Sequence, residues 1–381
     1  MALAGAAVIA VGMLFSCTSK APKSLVTTPN TTAVKASQTH REPVRGVWLT
    51  TVSRLDWPPV GSIIASTPES RITQQKLALI AKLDNLQRLG INTVFFQVKP
   101  DGTALWRSDI LPWSDMLTGK IGEYPGYDPL QFMLDEAHKR GMKVHAWFNP
   151  YRVSVNTKPS TVAELNNTLT QVPASVFVLH RNWIRTASDR FVLDPGIPEA
   201  RDWITSIVAE VVQNYPIDGV QFDDYFYTET ASSPLNDNET FRRYGQGYAS
   251  KGDWRRHNTQ QLIAQVSTTI KKLNPNVEFG VSPAGVWRNR SHDPAGSDTR
   301  GAAAYDESYA DTRSWVQQGL LDYIAPQIYW PFARAMMCWP TGGPRWLSRR
   351  IPGCISAWRC TKWVSRPKMS LTGRWMAACR S

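Results

Sequence analysis

Between Arg45 and Trp330 the chain alternates, six times over, between short apolar runs and segments with helical periodicity. "RGVWLTT" (45–51), "INTVFFQVKPD" (91–101), "MKVHAWFNPYR" (142–152), "IDGVQFDDYF" (217–226), "VEFGVSPAGVW" (277–287) and "LDYIAPQIYW" (321–330) read as strands. The segments between them carry helix signals: Asp128 as an N-cap with Pro129 behind it, and Gly90 and Gly141 as stops. Strands that alternate with helices pair in parallel, so the expected fold class is α/β, a (β/α)8 TIM barrel. An open dinucleotide-binding sheet is disfavoured, because no G-x-G-x-x-G turn follows the first strand. Eight strands are needed and six are found in 43–332, the expected barrel domain.

The two missing strands should follow Phe332, where the composition changes abruptly. Residues 333–381 hold eight Arg, two Lys, four of the five cysteines and no Asp or Glu. This segment supplies +10 of the formal charge of +12, which leaves the rest nearly neutral and removes the argument for a nucleic-acid partner. The codons of Met336-Met337-Cys338-Trp339, read one base earlier, encode an Asp-Val-Leu run that suits an amphipathic helix. The tail is therefore read as out of frame, and the barrel of this chain as incomplete.

At the other end, residues 1–17 are a short apolar stretch closing on Leu14-Phe15-Ser16-Cys17, a signal peptide with a lipobox-like ending. Cys17 is the expected lipidation site and a membrane anchor. Residues 18–42, rich in Thr, Ser, Pro and Lys, read as a flexible tether.

Side chains alternate along a strand, and barrel active sites gather at the C-terminal strand ends. Gln97, Lys99 and Asp101 share one face of the second strand, and His145, Trp147, Asn149 and Tyr151 one face of the third. Gln221, Asp223 and Tyr225 align on the fourth, and Gln327 and Tyr329 on the sixth. By this parity Asp223 points into the lumen, while Asp224 faces the helical layer or the rim. Carboxylates, amides and aromatic rings at one open end suit glycoside hydrolysis, which needs carboxyl groups around an oxocarbenium-like transition state. The body has no H-E-x-x-H, C-x-x-C or G-x-S-x-G motif. Neither a cofactor nor a metal is expected.

In order, "RGVWLTT", "FFQVKPDGTALW", "KVHAWFNPYR", "FVLDPGIPEARDWI", "GVQFDDYF", "GVSPAGVWRN" and "DYIAPQIYW" resemble the glycosyl-hydrolase-like 10 family of bacterial envelope lipoproteins. The resemblance implies a barrel hydrolase of peptidoglycan glycan strands, held by Cys17 to the outer membrane and facing the periplasm, with division-machinery proteins as partners. It points to Asp223, surrounded by Gln97, Asp101, His145, Asn149, Tyr151, Asp194, Gln327 and Tyr329. Asp101 and Asp194, both at the ends of strand-like segments, are the candidates for a second catalytic carboxylate; Glu307, which opens a helix, ranks below them, and the acid could equally belong to the missing strands. Asp194 has an equal claim as a cap for the helix that starts near Pro198. Two other readings stay open: a catalytically silent glycan-binding lipoprotein, and a scaffold for other envelope proteins.

Overall fold

The computed structural model describes residues 43–329 and two short strands, Ala357–Arg359 and Met376–Ala378. The leader with Cys17, the tether and the remainder of 333–381 lie outside the described residues. All six expected strands form. They are β1 (Gly46–Leu49), β2 (Thr93–Lys99), β3 (Lys143–Phe148), β6 (Gly219–Phe222), β7 (Glu278–Val281) and β8 (Tyr323–Ile324). They pair in parallel in the order β1-β2-β3-β6-β7-β8, in chain order without a crossover. The antiparallel hairpin of β4 (Ile184–Ala187) and β5 (Arg190–Leu193) lies outside this sheet.

The sheet curls strongly. Phe95 of β2 and Tyr323 of β8 are four strands apart in the order, roughly 19 Å in a flat sheet. Their ring centroids are nevertheless 6.0 Å apart. The two faces bury different material. Val94, Phe96 and Val98, then Val144, Ala146 and Phe148, then Val220 and Phe222 pack toward the helices in the main core. Trp48, Phe95, Trp147, Tyr323 and Ala325 form a separate cluster on the concave side. Glycines make room for those rings. A Cβ at Gly219 would lie 2.4 Å from His145 Nδ1, and one at Gly280 would lie 2.2 Å from the Tyr323 ring.

The helices begin and end where the sequence signals them. Thr67 accepts a bond from Ser70 N and Pro68 opens the helix Pro68–Arg88, which buries Leu79, Leu83 and Leu86. Asp128 likewise accepts from Gln131 N ahead of the helix Pro129–His138. Gly90 and Gly141 follow these helices with φ of +73° and +70°, conformations that an L side chain resists. Ser250 and Asp253 bond reciprocally at the start of Lys251–Leu273. After β8 the chain continues through Ala325-Pro326 into β9 (Gln327–Ile328). There it pairs in parallel with β10 (Ala357–Arg359), which pairs antiparallel with β11 (Met376–Ala378).

Candidate active site

The last residue of β6 in the ladder is Phe222, opposite Phe148. Asp223 and Asp224 lie beyond it, where no ladder enforces alternation. The Asp224 N–H donates to Asp223 Oδ1 (2.9 Å), a local bond that turns the chain. As a result both carboxyls line one cleft at the C-terminal strand ends. Asp224 was expected on the helical face or rim; the early end of the strand places it beside Asp223. Burial, and then the charge of the neighbouring Asp223, push the Asp224 carboxyl well above the usual carboxylate range.

A chain of amides reaches Asp223 from the first strand. Gln97 Oε1 accepts from Thr51 N (2.9 Å) and Val52 N (2.8 Å), so its Nε2 is left to donate to Asn149 Oδ1 (2.6 Å). That bond turns Asn149 Nδ2 toward Asp223 Oδ2 (3.3 Å). From the other side, Gln327 Nε2 donates to Asp223 Oδ1 (3.0 Å) and to the Ser282 carbonyl (2.9 Å). The amides of Asn149, just past β3, and Gln327, in β9, thus meet on the Asp223 carboxyl, which takes N–H donors on both oxygens, with Gln97 of β2 one bond behind.

Several expected site residues sit elsewhere. The register of β2 against β3 slips between Gln97 and Lys99. Lys99 is buried and donates to the carbonyls of Asn149, Pro150 and Arg152 (3.0, 3.2 and 3.3 Å), so it clamps the loop after β3. Burial lowers its ammonium to about 7. Asp101 does not line the cleft; it accepts from Thr103 N (3.0 Å) and Thr103 Oγ1 (2.6 Å), folding its own turn. Asp194 is fully buried away from the cleft, bonded by Gly196 N (2.9 Å) and Thr240 Oγ1 and paired with Arg185 (3.2 Å). It shapes the turn before the helix Pro198–Asn214, whose N-cap is Ile197, so it is not that cap. Tyr151 follows the end of β3 and packs into the helix-side core.

His145 and Gln221 do point to the concave side, but below the cleft. Tyr323 Oη donates to Gln221 Oε1 (2.7 Å), which leaves His145 Nδ1–H to donate to Tyr323 Oη (2.9 Å). Burial holds the imidazole down to about 4, so it stays neutral. These groups form a satisfied polar floor.

The cleft has a volume of about 360 Å³. Gln97, Trp147, Asp223, Tyr225, Gln327 and Tyr329 line it, as expected. So do Trp48, Asp56, Arg152, Arg190 and Ser282, which were not foreseen. Trp48 and Ser282 follow from applying the same parity to the first and fifth strands. Asp56 and Arg190 come from a loop and a hairpin, where no periodicity marks them. The guanidinium of Arg152 lies 4.5 Å, and that of Arg190 5.9 Å, from the Tyr225 ring centroid. Among the described residues no cluster of three or more His, Cys, Asp or Glu could hold a metal.

The model of the family described as "Glycosyl hydrolase-like 10" matches residues 43–356. A protein of Escherichia coli (strain K12) named glycosyl hydrolase DigH is 75% identical over 324 residues, covering 85% of this chain and 74% of its own length. Glycosyl hydrolase YngK of Bacillus subtilis (strain 168) is 44% identical over 297 residues, 77% of this chain and 55% of the relative. Among solved structures, the PgaB (BpsB) glycoside hydrolase domain from Bordetella bronchiseptica overlaps with a TM-score of 0.41 and 16% identity. The overlap covers 76% of this chain and 75% of that one, and is too distant for residue-by-residue comparison.

Proposed function

The chain belongs to the glycosyl hydrolase-like 10 family and is a glycoside hydrolase, and we propose that it cuts the glycan strands of peptidoglycan with Asp223 and Asp224 as its catalytic carboxyls. The observation that carries this reading is the pair itself. Two adjacent carboxyls face one aromatic-walled cleft, and one of them is driven to keep its proton. Environments that push two titratable groups apart assign acid and base roles. Asp224 supplies the proton to the departing sugar oxygen, and Asp223 remains the acceptor. Trp48, Trp147, Tyr225 and Tyr329 offer ring faces to sugars. Arg152 and Arg190 suit a strand that carries carboxylates, as one built with muramic acid does.

The location is part of the proposal. The Leu14-Phe15-Ser16-Cys17 ending supports a lipid anchor at Cys17 in the outer membrane, facing the periplasm. Incorporation of labelled palmitate, abolished by Cys17→Ala, tests it. Partners in the division machinery rest on the family resemblance. A shifted frame in residues 333–381 is tested by sequencing the codons of Ala325 to Arg345.

Incubating the parent and Asp223→Asn with purified glycan strands tests the activity. The parent should release new reducing ends, and the variant should lose turnover by about a thousandfold while still binding. Strands left intact by the parent would refute the reading and favour a silent glycan binder.

A further inference from the structure

Two side chains of the cleft stand on the loop that follows β3, and a buried lysine holds that loop. Asn149 donates to Asp223 Oδ2, and Arg152 lines the cleft with its guanidinium 4.5 Å from the Tyr225 ring centroid. Both lie past Phe148, where β3 ends, so no ladder fixes their backbone. Lys99 closes β2 and is 1% exposed. Its Nζ donates to the carbonyls of Asn149 (3.0 Å), Pro150 (3.2 Å) and Arg152 (3.3 Å). Among the described residues no other donor meets these three oxygens. An ammonium carries three N–H groups, one for each carbonyl. A neutral amine carries two, and its lone pair would face the third oxygen. Loss of the proton therefore strands a buried carbonyl, and the loop must shift to find it a donor. The ties that would remain are Asn149 N to the Lys99 carbonyl (2.9 Å), Gly102 N to the Val153 carbonyl (3.1 Å) and Arg152 Nη1 to the Pro100 carbonyl (3.4 Å).

We propose that Lys99 is a positioning residue for glycan binding and cleavage: its charged form holds the loop so that Asn149 reaches Asp223 and Arg152 reaches the substrate, and its neutral form lets both withdraw. The inference rests on the glycan reading above. Lys99 itself touches neither the cleft nor the carboxyl pair. Two charged groups act on it. Asp101, two residues on, favours the ammonium, and Arg152, on the loop it holds, opposes it. Burial outweighs both and brings the ammonium down to about 7, where a change of one pH unit alters its charge. The residues lining the cleft include no His, Lys or Cys. Asp224 is the lining carboxyl that burial drives upward, so replacing it separates its titration from that of Lys99.

The test is calorimetric binding of purified glycan strands to full-chain Asp224→Asn, from about pH 5.5 to about pH 8.5 at constant ionic strength. Affinity should fall by about tenfold as the pH rises through neutrality, as for one lost charge-assisted bond. With Lys99→Met added, binding should be weak at every pH. With Lys99→Arg added, the charge persists throughout and the step should vanish. A flat affinity in Asp224→Asn alone, readable even where neither double variant folds, would overturn the proposal and leave the glycan reading intact. So would a step that survives in a folded double variant, because a lysine with a merely structural role leaves the pH profile where it was. No glycan binding at any pH would overturn both.

Discussion

Replacing Asn149 by Leu tests whether the amide chain from Thr51 to Asp223 tunes the reacting carboxyls. The substitution removes one N–H donor from Asp223 Oδ2 and the acceptor of Gln97 Nε2. A hydrogen bond to an ionised group contributes ~1.5–3 kcal/mol, and the 3.3 Å distance argues for the lower end, about 1.5 kcal/mol. At 1.36 kcal/mol per decade of rate, kcat/KM on glycan strands should fall by about tenfold at constant pH and ionic strength. The orphaned Gln97 donor also costs stability, so Thr51→Val is the control. It removes the Thr51 Oγ1 bond to the Gln97 carbonyl (2.8 Å) without touching Asp223, and its kcat/KM should stay within about twofold of the parent. An unchanged kcat/KM in Asn149→Leu would refute the reasoning, as would an equal fall in Thr51→Val.

Asp224→Asn should lower turnover yet raise the melting temperature near neutral pH. The raised folded-state pKa of Asp224 gives a stability contribution that is present in acid and lost as pH rises through that value, so the gain should shrink in acidic buffer. Asp101→Asn and Asp194→Asn should each melt lower than the parent and keep turnover within about tenfold, since both carboxyls hold turns outside the cleft, Asp194 also holding Thr240 and Arg185; loss of turnover comparable to Asp223→Asn would reinstate them as catalytic. Arg255→Met should cost ~3–5 kcal/mol in urea unfolding. Arg255 is buried and bonds Asp237 and Glu229 (2.8 and 2.7 Å), and Asp237 would stay buried with only the partly exposed Lys251 to balance it.

Every strand of the half-barrel was legible in the sequence, because an apolar run between helix caps has few other ways to bury itself. The faces were legible too, as far as the ladders run. Gln97, Trp147 and Gln221 point to the concave side as their parity requires, and Phe96, Phe148 and Phe222 away from it. Parity gives direction but no depth, so it could not separate His145, in the floor beside Gly219, from Trp147 at the cleft wall. It also misleads past the last ladder bond. Lys99 follows a register slip, Tyr151 lies three residues beyond Phe148, and Asp101 and Asp194 sit in turns that use their carboxyls to bond nearby N–H groups. Arg190 and Asp56 arrive from segments with no period at all.

The same break in periodicity explains why the chemistry sits where it does. Within an extended strand, consecutive side chains leave opposite faces, so two neighbouring carboxyls inside β6 would be divided between the lumen and the helical core. Only a residue past the ladder can turn its side chain to join its neighbour. The floor provides the reason for the ladder to stop there. His145, Tyr323 and Gln221 satisfy one another below, and the amides of Asn149 and Gln327 supply N–H groups just above. A carboxyl pair one step deeper would meet the Tyr323–Gln221 bond and find no free donors. One step shallower, it would be hydrated, and Asp224 would lose the burial that keeps its proton. The strand length of β6 thus sets the acidity of Asp224, and lengthening its ladder by one residue would abolish the site without altering a single catalytic side chain.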